Sequence, residues 1–122
     1  MNSVIGTLEA LEDIMKAYKG MNTRPEVYVD GGVRTGEDIF KCLALGADFV
    51  FIGRPIIWGA SVSGKDGARA VLDIFEKELK EAMAYAGVSR VRDIGRKDVF
   101  SREDKMVNKL SQIIDLKIQP KL

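Results

Sequence analysis

No histidine occurs anywhere in the 122 residues. Histidine is the usual general base near neutral pH, so a reaction that needs an imidazole must find it outside this chain. Cysteine occurs once, as Cys42. A single thiol forms no internal disulfide, which points to a reducing compartment. With no histidine beside it, the common zinc-ligand sets are excluded as well. No apolar run approaches the roughly 20 residues of a membrane span. The N-terminus lacks the basic-then-apolar pattern of a secretory signal. Neither charge is in excess: Lys and Arg total 19, Asp and Glu 18, and the net charge is +1. No global field therefore draws nucleic acid or an anionic membrane.

What is present reads as globular, with 46% hydrophobic and 30% charged residues. The length suits one small domain or part of a larger one. Two stretches carry the chemistry. Asp30-Gly31-Gly32-Val33-Arg34 follows the apolar run Val27-Tyr28-Val29, and Ile52-Gly53-Arg54-Pro55 repeats the layout of strand, then glycine and arginine, then helix. Glycine lets backbone N–H groups approach a ligand closely, and arginine supplies a fixed fork of donors. Two neighbouring strand ends of this kind suit one dianionic phosphate, and in a parallel α/β fold such ends lie on the functional face. A tight turn needing no ligand explains an isolated glycine pair equally well. The duplication, with an arginine each time, favours the phosphate.

The remaining pattern is regular. Leu8, Leu11, Ile14, Met15 and Tyr18 recur at helical spacing, with Thr7 as expected N-cap and Gly20 as stop. Asn22–Pro25 read as a loop and Glu26–Asp30 as a strand, with Tyr28 expected in the core. Thr35 and Asp38 form a capping-box pattern for a helix whose expected buried stripe is Ile39, Cys42 and Leu43, with Gly46 as its end. Ala47–Ile52 run apolar without alternation, as expected of a parallel strand covered on both faces. Pro55–Trp58 read as a short turn, Ser61–Gly64 as a loop, and Gly67–Ala86 as the longest helix, stopped by Gly87. Trp58 is expected to pack against the last helix, and Met15, Met21, Met83 and Met106 to fill the core. Lys65, Lys77 and Lys80 belong to solvated faces, with Glu76, Glu78 and Glu81 as surface partners. Val88–Asp98 read as extended, and Arg102–Leu116 as an amphipathic helix followed by a polar tail. Two parallel strands leave their own edges open and have too little sheet for these helix stripes, so the chain looks like a slice of a larger fold.

Val27–Arg34, Leu43-Ala44-Leu45-Gly46-Ala47 and Val50–Gly59 together resemble the C-terminal part of the FMN-dependent α-hydroxy acid oxidases and dehydrogenases. The likeness covers roughly residues 5 to 95. Other phosphate-binding barrels carry similar glycine pairs; the run Gly53-Arg54-Pro55-Ile56-Ile57-Trp58-Gly59 makes the resemblance specific. It implies an α/β chain that is the C-terminal part of a (β/α)8 TIM barrel: the last two parallel strands with flanking helices, plus a C-terminal amphipathic helix. The implied division is 1–98 for the partial barrel and 99–122 for the helix and tail.

The resemblance further implies FMN as cofactor, bound by Asp30, Gly31, Gly32, Val33 and Arg34. Asp30 would lie near the ribityl hydroxyls, and Gly32 and Arg34 near the phosphate, which Gly53 and Arg54 complete. The family reaction oxidises a 2-hydroxy acid to a 2-oxo acid, and in oxidases oxygen then gives hydrogen peroxide. The family's histidine base, substrate-clamping arginine and flavin-facing lysine have no match here, so no residue is assigned a catalytic role and the chain alone is expected to be inactive. Implied partners are FMN, the missing N-terminal part of the barrel or full-length family members, and a homo-oligomer in the complete enzyme. A non-catalytic interaction protein and a self-dimerising phosphate-binding half-barrel remain alternatives. Pro120-Lys121-Leu122 is similar to a serine-lysine-leucine peroxisomal signal, with proline in the first place, so a peroxisomal or otherwise cytoplasmic location is expected.

Overall fold

A computed structural model describes residues 5–100 and 104–111. Helix α1 spans Thr7–Ala17, strand β1 Tyr28–Val29, helix α2 Gly36–Ala44, strand β2 Phe49–Val50 and helix α3 Arg54–Tyr85. Two 3₁₀ turns, Val91–Asp93 and Arg96–Asp98, replace the extended segment expected there. Residues 104–111 are helical. The ends of the expected Arg102–Leu116 helix, and the tail with Pro120-Lys121-Leu122, lie outside the described residues. Among the described residues no helix is long and apolar enough to cross a membrane.

β1 and β2 pair in parallel, Tyr28 opposite Phe49 and Val29 opposite Val50, with α2 as the connection between them. Both strands are shorter than their apolar runs, because pairing needs a partner at each residue and each strand has only the other. The loop before β1 is pinned to the start of β2. Arg24 Nη1 and Nη2 donate to Asp48 Oδ2 and Oδ1 at 2.6 and 2.9 Å, and Val27 N–H donates to the same carboxylate at 2.8 Å. The Arg24 guanidinium, then the Val27 amide, hold the Asp48 carboxyl below its ordinary range.

α2 is the centre of the packing. On one side Cys42 joins Leu11, Val29 and Ala47; on the other Phe40 and Ala44 join Met83. Burial between two neighbours explains why Phe40 and Ala44 are buried while Ile39 and Leu43, expected in the stripe, are only half-buried. Burial also pushes the Cys42 thiol up, as expected of a packed, unreactive cysteine. Gly36 permits the close approach of α2 to α3: a Cβ there would lie 2.6 Å from the Phe75 carbonyl oxygen. That contact is too short for any side chain to accept.

Several expectations fail for physical reasons. The N-cap of α1 is Gly6, not Thr7, because the Glu9 carboxylate reaches back to accept from Gly6 N–H at 3.3 Å. α3 begins at Arg54, so Pro55–Trp58, Ser61 and Val62 are helical rather than turn and loop; the other half of the expected loop, Ser63 and Gly64, is a break that divides α3 into two helical segments. Proline fits the first turn of a helix, where its missing N–H is not needed. Tyr28, Phe49 and Phe51 are 57%, 52% and 50% exposed, not core. Their rings cluster with centroids 5.0 to 6.2 Å apart on a sheet face that no other described element covers. Met21 and Met106 are also exposed, whereas Met83 is buried and Met15 packs against the first cluster.

Candidate functional site

The two strand ends and the start of α3 meet around one cavity of about 300 Å³. Asp30, Gly31, Gly32, Val33, Arg34, Gly53 and Arg54 all line it, joined by Phe51, Pro55 and Trp58. All seven residues singled out from the sequence are therefore neighbours in space. The three apolar walls were missed. Pro55 closes the second motif and Phe51 directly precedes it, which was the available signal, and Trp58 was assigned to packing on the last helix. It is instead 55% exposed and faces the cavity.

The first arm of the site is a glycine turn. Gly31 and Gly32 have φ of +99° and +82°, conformations that L side chains rarely adopt. Around Gly32 there is open space, whereas a Cβ on Gly31 would press on Thr7 Oγ1 at 3.3 Å. Gly31 N–H donates to the Asp30 carboxylate at 2.7 Å, which holds that acid at the rim. The second arm is the start of α3. Gly53 is its N-cap, Pro55 stands in its first turn, no side chain caps it and no acid lies in that turn. Pro55 carries no N–H and the Ile56 N–H donates to the Gly53 carbonyl at 3.0 Å, so the positive dipole end, with the Arg54 N–H, is what attracts an anion here.

Among the described residues neither the Arg34 nor the Arg54 side chain has an ion-pair or hydrogen-bond partner in the protein. Arg24, Arg90 and Arg96 each pair with carboxylates. Two unpaired guanidiniums against one carboxylate, Asp30, leave the cavity lining net positive. This donor set fits a phosphate group: planar forks for its oxygens, and close backbone approach at Gly32 and Gly53.

The start of α2 borders the same turn but is closed. Asp38 N–H donates to Thr35 Oγ1 at 3.2 Å, and the Asp38 carboxylate accepts from Arg34 and Thr35 N–H at 3.1 and 3.2 Å. Gly36 N–H donates to Glu78 Oε2 at 2.6 Å. Thr35 and Asp38 were legible as a capping box; the contribution of Glu78 was not.

A family model described as FMN-dependent dehydrogenase matches residues 1–101. Mouse 2-hydroxyacid oxidase 2 is 47% identical over 94 residues, covering 77% of this chain and 26% of that protein. A mandelate oxidase variant solved with a monooxide FMN adduct superposes with a TM-score of 0.65 at 38% identity, covering 75% of this chain and 28% of its own. A flavocytochrome b2 variant solved with benzoylformate gives a TM-score of 0.73 at 32% identity, over 78% of this chain and 25% of its own. The fold neighbours are FMN-dependent TIM barrels. The chain spans about a quarter of the length of the curated relatives it matches.

Proposed function

Since the chain belongs to the FMN-dependent dehydrogenase family, we propose that its two glycine–arginine turns form the phosphate-binding end of the FMN site of a 2-hydroxy-acid-oxidising enzyme. One observation carries this reading: a single net-positive cavity joins a positive-φ glycine pair, an uncapped helix N-terminus and two arginines that have no partner among the described residues. In this reading β1 and β2 are the last two strands of a (β/α)8 barrel, where the loops after strands seven and eight hold phosphate.

Each residue then has a task. Gly32 and Gly53 present backbone N–H groups to phosphate oxygens. Arg34 and Arg54 grip those oxygens with charge-assisted bonds. Asp30, at the rim, accepts from hydroxyls of the sugar-like chain beyond the phosphate. Phe51, Pro55 and Trp58 form an apolar wall beside the phosphate. When bound, FMN supplies the two-electron acceptance by which a 2-hydroxy acid becomes a 2-oxo acid.

The proton chemistry of that oxidation has no base here, since the chain contains no histidine. Lack of a positioned base costs about 100- to 10,000-fold in rate. The exposed Tyr28, Phe49 and Phe51 face is where we place the other strands of the barrel, because three clustered aromatic rings left wet are costly.

The test is binding of FMN against riboflavin, which lacks the phosphate, to the purified chain. A clear preference for FMN, with no turnover of lactate or glycolate, is the expected result. Equal binding of the two flavins would overturn the phosphate reading, and detectable oxidation by the chain alone would overturn the expected inactivity.

A further inference from the structure

In the charged run from Glu76 to Glu81, one acid turns inward. Lys80 pairs with Glu76 at 2.5 Å and Lys77 with Glu81 at 3.9 Å, both exposed. Glu78 instead reaches across 42 positions of sequence to accept from Gly36 N–H at 2.6 Å in a half-buried setting. Its flanking turns press on the same spot: a Cβ on Gly36 would lie 2.6 Å from the Phe75 carbonyl oxygen and 2.5 Å from Glu78 Cβ.

The connections run onward from there. Gly36 opens α2, and the Asp38 carboxylate in that first turn accepts from Arg34 N–H at 3.1 Å. Arg34 is therefore tied to the first turn of α2, and that turn is tied by Glu78 to α3. Gly53 and Arg54 stand at the start of the N-terminal segment of α3, and Glu78 lies on its C-terminal segment beyond the break at Ser63 and Gly64; the two segments touch where a Cβ on Gly59 would lie 2.5 Å from the Gly67 carbonyl oxygen. We infer that Glu78 is a positioning residue, which sets the glycine–arginine turn after β1 against the one at the start of α3 so that both face one phosphate. It also occupies the Gly36 N–H, which would otherwise offer an anion a second, displaced seat.

This inference rests on the phosphate reading of the cavity and adds a residue outside it: Glu78 does not line the site. A merely structural role would lower folding stability without altering the discrimination between two ligands that differ by one phosphate. Glu78→Gln keeps an oxygen acceptor for Gly36 N–H; Glu78→Leu removes it. The experiment measures FMN and riboflavin affinity of the full chain and both variants, with hydrogen exchange of the Gly36 amide.

Glu78→Leu is expected to lose about tenfold in FMN-over-riboflavin preference and to expose the Gly36 amide, as loss of one charge-assisted bond implies. Glu78→Gln is expected to keep most of both. If Glu78→Leu retains the preference, or Glu78→Gln loses as much as Glu78→Leu, the positioning role falls while the phosphate site stands. If the unsubstituted chain shows no preference for FMN, both fall together. Should Glu78→Leu fail to fold, Glu78→Asp, which keeps the charge but lacks the reach, is read in its place.

Discussion

The two helices that follow the glycine–arginine turns begin in opposite ways. The N-terminus of α2 is filled by the protein itself: the Thr35 hydroxyl, the Asp38 carboxylate and the Glu78 carboxylate take its neighbourhood, and a side chain at Gly36 has no room. The N-terminus of α3 has no side-chain cap and no acid in its first turn, and around Gly53 there is open space. Both ends carry the same positive partial charge from their backbone dipoles. Capping alone decides which of them is available to an outside anion. A site of this kind is made as much by closing one helix as by opening the other.

Substitution of the two glycines should separate them most strongly. Gly36→Ala drives a methyl group into the backbone of α3 and should cost about 1–3 kcal/mol of stability, the range for overpacking. Gly53→Ala meets nothing within van der Waals reach and should change stability by less than about 0.5 kcal/mol. Denaturant midpoints of the two variants test this. Similar losses in both would mean that the two ends are not as different as their packing indicates.

Arginine removal comes next. Arg34→Ala and Arg54→Ala should each weaken FMN binding by about tenfold or more, the worth of a charge-assisted contact, and leave riboflavin binding and thermal stability nearly unchanged. Loss of riboflavin binding to the same degree would assign these arginines to folding. A smaller effect is expected from making the helix starts alike. Pro55→Asp places an acid in the first turn of α3 and should weaken FMN binding by about threefold at low salt, with the difference shrinking as salt rises.

The smallest effect lies away from the cavity, at the Arg24–Asp48 clasp. The folded-state pKa of Asp48 is depressed, chiefly by Arg24, while Arg24 stays charged throughout. The clasp therefore contributes fully above the unfolded carboxylate value of about 4 and is lost as pH falls through the lowered folded value. Thermal midpoints measured against pH should show this acid-side decline in the unsubstituted chain and a weaker one in Asp48→Asn. Equal declines would show that other carboxylates govern acid unfolding.

Local signals in the sequence were informative wherever the determinant was local. The glycine stops at positions 20, 46 and 87 all have positive φ, and the Thr35–Asp38 box forms as its spacing implies. The seven motif residues converge because two strand ends of one βαβ unit are neighbours by construction. What depended on distant partners was not legible. Nothing near Glu78 marks it as different from Glu76 or Glu81, since its partner lies 42 residues away. The apolar run through Phe49 and Phe51 shows that a surface wants covering, but not what covers it. The helical start at Arg54 was obscured because proline marks turns and first helical turns alike.

The most direct test of the difference between the two helix starts is an amide-resolved titration of the chain with inorganic phosphate. The backbone signals of Gly32, Gly53 and Arg54 should move most, and those of Gly36 and Glu37 should stay in place. Movement centred on Gly36 and Glu37, with Gly53 and Arg54 unaffected, would contradict the assignment of the anion to the open end of α3.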